Sequence, residues 1–290
     1  MPKSEHAFSW QCFLISWGDK YADSDINRLV ENISKHASSE PRFVMMTDRI
    51  RVGVDPRVQQ VEFPAYFLNE KLRGPGCQAK LGMFEKGVMP DDLPAIYVDI
   101  DTIILGDLTK AFQFHDVDKT IQILQSAVLP FSEFARFIYK LTKKKRYARG
   151  NSSVVVFHPA KCHFIASEFR KRFDEFGDFH QRPMIADERF ISWIAQPMVR
   201  ALPKHFAVKF PTEFMLHTKF LTYLKSCLPW VVRRRQKLVA VTLCGVISKP
   251  EKLVTMQVGE TLRDNKNRIL IWNDRVIGEL RKKLISYYQS

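Results

Sequence analysis

The first sixty residues of the chain alternate between short apolar runs and one amphipathic segment, and this order limits the folds that the chain can adopt. The apolar runs lie at residues 13–16, 42–46 and 58–63. After Ser24, apolar residues recur at spacings of three and four, which predicts a helix between the first two runs. Strands that alternate with helices are typical of parallel βαβ units. The sequence therefore predicts an α/β fold.

The same alternation continues along the chain. Further buried strands are predicted at residues 95–99, 121–124 and 153–157. Helices are predicted at residues 78–86, 160–176, 187–194 and 276–288, the last of them amphipathic. We expect a catalytic α/β domain over residues 1–220. A basic C-terminal extension over residues 221–290 is expected to pack on the same domain.

The charge of the chain indicates which partners it attracts. Lys and Arg number 45 and Asp and Glu 31, so the formal net charge is +14. This surplus favours a polyanion, which is nucleic acid, anionic lipid or a substrate that carries pyrophosphate. The basic residues do not interleave with aromatic residues as in a nucleic-acid recognition motif, so no nucleic acid is expected.

The cysteines and the hydropathy of the chain indicate its compartment. The five cysteines are far apart and form no CxxC, which fits a reducing compartment rather than a disulfide framework or a structural zinc site. No secretory signal and no apolar run of about 18 residues is apparent. We expect a cytoplasmic protein.

Two acidic residues lie at the end of the apolar strand predicted at residues 95–99 and just after it. They are Asp99 and Asp101, separated by Ile100. Ligands bind beyond the carboxyl ends of the strands in a doubly wound sheet. Side chains two residues apart on an extended segment point the same way, so both carboxylates would face one cation. Such a triplet also occurs at ordinary strand-to-loop junctions, but apolar runs on both sides make this pair costly without a cation. Carboxylate oxygens suit Mg²⁺ or Mn²⁺.

Residues 97–108, Tyr-Val-Asp-Ile-Asp-Thr-Ile-Ile-Leu-Gly-Asp-Leu, resemble the metal-binding motif of GT-A glycosyltransferases, especially retaining family 8 and its bacterial relatives. Four other segments resemble that family in the same order, and the likeness covers roughly residues 8–220. They are residues 17–21, Lys80 with Met83 and Phe84, residues 151–157 and residues 187–190. The resemblance implies a nucleotide-diphospho-sugar transferase fold with a mixed, mainly parallel sheet flanked by helices.

The resemblance also implies a role for each matched residue. Asp99 and Asp101 would bind Mn²⁺ or Mg²⁺. The donor, a UDP-sugar, would be bound by Trp17, Asp19, Tyr21, Lys80, Ser152 and Lys249. The catalytic residues at the transferred sugar would be Asp187, Glu188 and Asn151.

Several of these residues also fit a purely structural interpretation. Tyr21 fits an aromatic side chain packed on its own helix, and Lys80 fits an exposed helical lysine. Asn151 fits a turn, because Asn favours turns. Asp187 and Glu188 fit the N-terminus of a helix, where negative charge is favourable.

The chain departs from the family near its late metal-binding histidine. The family typically has this His near a Gly and a Lys-Pro pair, and residues 241–250 keep Gly245 and Lys249 with its Pro but have no His. Cys244 or Thr242 stands in that place. Since Cys is a poor ligand for Mg²⁺, the third ligand would come from elsewhere, with His217 as a candidate.

The resemblance implies transfer of a hexose from a nucleotide sugar to a glycan or glycolipid acceptor, with retention of configuration. Two alternatives stay open: a catalytically inactive GT-A-like binding protein, and another metal-dependent nucleotide-processing enzyme. Two basic clusters, residues 143–146 and the residues around Trp230, fit solvated loops. They also fit a surface for anionic lipid or a phosphorylated glycan, which would place the enzyme peripherally at the inner face of a bacterial membrane.

Overall fold

The computed structural model describes residues 9–125, 129–179, 181–245 and 248–289. Val246 and Ile247, which belong to the Gly and Lys-Pro segment, lie outside the described residues. The strands are β1 Gln11–Ser16, β2 Arg42–Thr47, β3 Val58–Glu62, β4 Ala95–Val98, β5 Thr102–Ile104, β6 Ile121–Gln125, β7 Gly150–Phe157, β8 Val199–Leu202, β9 Ala207–Lys209, β10 Ala240–Thr242, β11 Thr261–Arg263 and β12 Ile269–Ile271. The α-helices are α1 Asp23–His36, α2 Glu133–Leu141, α3 His163–Phe176, α4 Asp187–Ile194, α5 Phe210–Phe214, α6 Lys219–Cys227, α7 Pro229–Gln236, α8 Pro250–Leu253, α9 Asp274–Ile277 and α10 Leu280–Gln289.

The chain divides into two compact units. The first unit contains residues 1–100 and 107–202, and the second contains residues 101–106 and 203–290. Among the described residues, the first unit holds a seven-stranded sheet in the order β3-β2-β1-β4-β7-β6-β8. Strand β7 is antiparallel to β4 and β6, and the other neighbours are parallel. The predicted mixed, mainly parallel α/β sheet is confirmed.

The centre of this sheet is apolar on both faces. Every residue of β1, β4 and β7 is buried, which is typical of strands covered on two sides by helices. On one side, α1 buries Ile26, Leu29, Val30 and Ile33, the periodic positions that predicted it. Because β1 is parallel to β4 and β7 is antiparallel to β4, the carboxyl ends of β1 and β4 lie at the same edge of the sheet as the amino end of β7.

Gly150 allows the start of β7 to approach β6 closely. A Cβ at this position would lie 2.2 Å from Ile123 Cδ1 and 2.9 Å from the carbonyl oxygen of Leu124. The register between β6 and β7 shifts between Ile123 and Leu124 at the same place. Asn151, the next residue along the strand, thus pairs with Leu124 just after this change of register.

Two predicted helices differ from the structure. Residues 78–86 form a 3₁₀ helix, Gln78–Phe84, rather than an α-helix. The segment passes close to its neighbours, since a Cβ on Gly82 would lie 3.3–3.4 Å from the Phe67 and Met46 side chains, and so short a segment gains little from α-helical hydrogen bonds. The predicted helix at residues 276–288 is two helices, α9 and α10, because Gly278 adopts a φ of +71° and ends the first.

The second unit has its own sheets and its own core. Strand β10 lies between β5, to which it is antiparallel, and β9, to which it is parallel, while β11 and β12 form a hairpin-like pair. Its core includes Phe214, Val241, Trp272 and Leu284. Of the helices in the described ranges, none is long and apolar enough to cross a membrane.

Candidate functional site

The Asp99 carboxylate lies at the end of β4, in the middle of the sheet edge. The backbone N–H of Asp99 donates to the carbonyl of Ser153 at 2.9 Å, which joins the end of β4 to β7. Its side chain accepts hydrogen bonds from the Lys80 ammonium at 2.5 Å and from the Tyr97 hydroxyl. The side chains of Lys80 and Asp99 are only 13% and 17% exposed. The interpretation of Lys80 as an exposed helical lysine is therefore wrong.

Lys80 and Asp99 form a largely buried ion pair, in which each charge offsets part of the cost of burying the other. Burial alone lowers the pKa of Lys80, but the Asp99 carboxylate offsets this effect and the pKa of Lys80 is raised. Burial and the same carboxylate raise the pKa of the Tyr97 hydroxyl. Lys80 is thus held as an ammonium ion and Tyr97 as a neutral hydrogen-bond donor.

A second carboxylate, Asp187, lies at the start of α4. Its backbone N–H donates to the carbonyl of Gly76 at 3.0 Å, and its side chain accepts from the Ser152 hydroxyl at 2.6 Å. Asp187 is 5% exposed, and burial raises its pKa to about 6 although the Lys80 charge and the Ser152 hydrogen bond act in the opposite direction. This carboxyl group can change its protonation state near neutral pH.

Asn151 and Glu188 form the next contact along the same elements. The Asn151 amide donates to the Glu188 carboxylate at 2.5 Å. Ser192 joins the two elements again, since its hydroxyl donates to the Glu188 carbonyl at 2.6 Å and accepts from the Gly150 N–H. Asn151 belongs to β7, so its interpretation as a turn residue is wrong. Glu188 and its neighbour Asp187 lie in the first turn of α4, as the helix-terminus interpretation also requires.

The loop after β1 carries three of the residues that are expected to bind the donor, Trp17, Asp19 and Tyr21. Trp17 packs edge-on against Phe63, with ring centroids 5.8 Å apart. Asp19 is paired with Arg49, and the Lys20 ammonium lies 4.6 Å from the Tyr21 ring centroid.

Buried Arg51 fixes the course of this loop. Its guanidinium donates to the Gly18 carbonyl at 2.7 Å and to the Tyr21 carbonyl at 3.2 Å.

Burial raises the pKa of Cys77, and the charges of Lys80 and Lys20 act against that rise. Lys20 therefore lies within electrostatic range of the segment that carries Lys80.

In the second unit, Asp101 precedes β5 and is paired with Lys249. Its side chain accepts from the Lys249 ammonium at 2.5 Å, and its carbonyl accepts from the Leu243 N–H at 2.9 Å. The Asp101 side chain is 8% exposed. Lys249 and Asp101, 148 positions apart in the sequence, are thus direct partners.

The backbone between the two aspartates turns at Ile100 and Asp101. The premise that an extended segment aligns Asp99 with Asp101 is therefore wrong, and chain connectivity alone keeps their Cα atoms within about 7 Å. Among the described residues, no three His, Cys, Asp or Glu side chains form a group that could hold a metal ion. His217 is exposed and does not join such a group.

The carboxylates nevertheless have the right chemistry for a divalent ion. Mg²⁺ is often bound by one or two carboxylates, with substrate phosphates and water completing its shell. Asp99 and Asp101 each hold an ammonium group in the structure, so each already binds a cation. Thr242, one of the two residues that stand in the place of the missing histidine, is buried in β10.

The chain is similar to known proteins in its structure. No protein-family model matches it, and no curated protein sequence matches it. Among solved structures, the galactosyltransferase LgtC in complex with donor and acceptor sugar analogues is 15% identical, with a TM-score of 0.56 and coverage of 95% of each chain. The bifunctional glycosyltransferase WbbM is 15% identical with a TM-score of 0.58, and the match covers 87% of this chain but 48% of WbbM. GlyE of Streptococcus pneumoniae is 12% identical with a TM-score of 0.54, over 97% of this chain and 61% of GlyE.

The chain has a GT-A-like fold. The expected fold is confirmed, and the structural neighbours are glycosyltransferases.

Three residues that contact the Asp99 and Asp187 segments were not among the residues predicted from the sequence. Tyr97 could have been predicted, because it lies two residues before Asp99 and alternate residues of a strand share one side. A side chain at position 76 would clash with the backbone, because a Cβ on Gly76 would lie 2.4 Å from the Ile185 carbonyl oxygen. Gln78 donates to the Met184 carbonyl at 3.0 Å, a pairing that no sequence signal indicates.

Proposed function

We propose that this protein is a glycosyltransferase that moves a hexose from a UDP-sugar to a glycan or glycolipid acceptor, with retention at the anomeric carbon. The observation that carries the proposal is the excess of negative charge at the edge of the central sheet. Asp99 and Asp187 both act on the Lys80 ammonium, and Glu188 adds further negative charge at Asp187. Such a cluster favours a bound cation in a fold shared with glycosyltransferases.

Asp99 and Asp101 are the proposed ligands of Mn²⁺ or Mg²⁺. When bound, the ion would neutralise the diphosphate of the leaving nucleotide. Lys80 and Lys249 now pair with these carboxylates. In the proposed complex the two ammonium groups turn to the phosphate oxygens, which bind lysine as a point charge.

Asn151, Ser152, Asp187 and Glu188 are proposed to contact the transferred sugar. Asp187 and Glu188 lie in the first turn of one helix and are hydrogen-bonded to two consecutive residues of β7. At neutral pH the Asp187 carboxylate would orient sugar hydroxyl groups and stabilise positive charge at the anomeric carbon. Trp17, Asp19 and Tyr21 are proposed to bind the base of the donor.

Calorimetric titration of UDP and a panel of UDP-sugars, with and without Mn²⁺, tests the proposal. We expect one UDP-sugar to bind in the presence of Mn²⁺, and Asp101→Ala to weaken that binding at least about tenfold, equivalent to about 1.4 kcal/mol. The matched control is Asp107→Ala, which removes another acid of the same motif. Asp107 accepts hydrogen bonds from the Thr109 N–H and hydroxyl and is hydrogen-bonded to Ser38, and none of these partners belongs to the proposed site, so nucleotide binding should persist.

Product analysis separates the proposal from its alternatives. A transferase releases UDP and yields a glycoside whose anomeric configuration matches that of the donor. An inactive binding protein would bind the nucleotide without turnover, and another nucleotide-processing enzyme would release phosphate or pyrophosphate instead. Absence of nucleotide binding with every metal tested would contradict the proposal.

A further inference from the structure

Tyr97 places a hydroxyl group inside an otherwise apolar strand. The other residues of β4 are Ala95, Ile96 and Val98, and Tyr97 itself is 1% exposed. A phenylalanine would fill nearly the same space without a polar atom, whereas a buried hydroxyl is costly unless it has a partner. That partner is Asp99, two residues further along the chain, whose carboxylate accepts the hydrogen bond of the Tyr97 hydroxyl.

Two donors meet on one oxygen of the Asp99 carboxylate. The Tyr97 hydroxyl and the Lys80 ammonium both donate to Oδ1, the ammonium at 2.5 Å. The ammonium also lies 5.5 Å from the centroid of the Tyr97 ring. Within the described ranges, no hydrogen bond is formed to the other oxygen, Oδ2, and the Asp99 side chain keeps 17% of its surface exposed. Asp99 therefore has one oxygen that the protein holds and one that can meet a ligand.

This arrangement sets the direction of Oδ2. The last torsion of an aspartate side chain has a broad energy minimum, so a carboxylate without partners can rotate. Two donors on Oδ1 restrict that rotation before a ligand arrives. The phenol is itself carried by a central strand, because Tyr97 pairs with Phe13 of β1 on one side and with Val155 of β7 on the other.

The two donors differ in their response to a phosphate ligand. An ammonium group is attracted by phosphate oxygens, and in the proposed complex Lys80 turns from Asp99 to the diphosphate. The phenol of Tyr97 has no comparable attraction and its ring is buried in the core. Tyr97 is therefore the donor that stays on Oδ1 when the donor substrate binds.

We propose that Tyr97 is a positioning residue that holds the Asp99 carboxylate in place for a divalent cation. Hydrogen bonds from outer partners orient the ligands of a metal ion, and their loss weakens metal binding. The inference rests on the proposed function, since it takes Asp99 as a ligand of the ion. It adds a role for a residue that acts on the ion only through Asp99.

Calorimetric titration of Mn²⁺ into the full chain in the presence of UDP tests the inference. We expect Tyr97→Phe to raise the Kd of Mn²⁺ about 10- to 100-fold. Tyr139→Phe is the matched control, because Tyr139 is also buried and its hydroxyl donates to the Trp193 carbonyl at 2.9 Å instead. This control should leave the Kd of Mn²⁺ unchanged.

The Mn²⁺ concentration separates positioning from general damage to the fold. At saturating Mn²⁺ the affinity of Tyr97→Phe for UDP should return to the wild-type value, because every proposed ligand of the ion is still present. The midpoints of urea denaturation should fall by similar amounts in Tyr97→Phe and Tyr139→Phe, since each variant loses one buried hydrogen bond.

The possible results have distinct meanings. An unchanged Kd of Mn²⁺ in Tyr97→Phe would overturn the inference and leave the hydroxyl with a structural role alone. Equal weakening in both Tyr→Phe variants, or no recovery of UDP affinity at saturating Mn²⁺, would also overturn it, because the fold and not the Asp99 carboxylate would then be affected. If the wild type binds no Mn²⁺ in the presence of UDP, the proposed metal site itself is wrong, and the inference falls with it.

Discussion

Two clusters of buried charge, one in each unit, differ in the sign of their imbalance. In the first unit, the charges of Asp99 and Asp187 act on Lys80, and the charge of Glu188 acts on Asp187. In the second, Glu213 lies within ion-pair distance of Lys225, Arg234 and Arg235. Acidic groups therefore outnumber basic groups in the first cluster, and basic groups outnumber acidic groups in the second. Buried charge by itself therefore does not mark a functional site, and the partners that complete it must be considered.

The Glu213 cluster is completed by its own chain. Arg234 and Arg235 donate to the carboxylate at 2.6 and 2.8 Å, and Arg235 also donates to the Val276 carbonyl at 2.8 Å. Lys225 donates to the Glu213 carbonyl at 2.6 Å. Burial lowers the pKa of Arg235 and of Lys225. Glu213 therefore stabilises cations that would otherwise be costly to bury.

The largest effect on stability is expected at this second cluster. Glu213→Gln keeps the size of the side chain but leaves two partly buried guanidinium groups, those of Arg234 and Arg235, without a carboxylate. We expect a loss of about 3–5 kcal/mol in the free energy of unfolding, measured by urea denaturation. Glu133→Gln is the control, since the Glu133 side chain is 86% exposed in its pair with Arg136 and should cost about 0–1 kcal/mol. A similar loss in both variants would remove the contrast between the two clusters.

In the first cluster, removing the Asp187 charge is expected to have a smaller effect on the free energy of unfolding, and in the opposite direction. Folding raises the pKa of Asp187 from 3.8 to about 6, so the folded state binds this proton more tightly than the unfolded state does. The stability that the proton provides is complete below about pH 4 and is lost as the pH rises through about 6, by about 3 kcal/mol. Asp187→Asn should remove this pH dependence while leaving the protein at least as stable as the wild type at pH 7.5.

The same variant separates stability from function. If the proposed role is correct, Asp187→Asn abolishes sugar transfer although it does not destabilise the fold. Glu213→Gln should instead lower stability and, below its unfolding temperature, retain nucleotide binding. Urea denaturation at a series of pH values, together with transfer assays, tests both. Unfolding curves of Asp187→Asn that keep the wild-type pH dependence would show that another group titrates.

The smallest effects are expected at helix caps, where the two units should behave alike. Ser132 caps α2 in the first unit through the Ala135 N–H, and Asn273 caps α9 in the second through the Val276 N–H. Replacing either residue with Ala should cost about 1 kcal/mol in the free energy of unfolding, by urea denaturation, without changing nucleotide binding. A clearly larger loss in one unit would mean that its helices depend more on local capping than on packing.

The sequence predicted the parts of the molecule that depend on short-range pattern. Apolar periodicity predicted α1 and α4 together with the central strands of the first unit, because burial of one helix face or both strand faces requires that spacing. Local pattern failed at Gln78–Phe84 and at Gly278. There a close contact and a positive φ, neither visible in hydropathy, decided the backbone.

The candidate site shows the same division. Its acidic residues could be selected from the sequence, because carboxylates next to apolar strands need partners. The tertiary structure decided which partners they have, since the Lys249–Asp101 pair joins residues 148 positions apart and Asn151 meets Glu188 across β7 and α4. It also raised the pKa of Asp187, because desolvation depends on packing from segments distant in the sequence. Composition determined the net charge, but only the folded chain decided which charges are neutralised internally and which remain exposed.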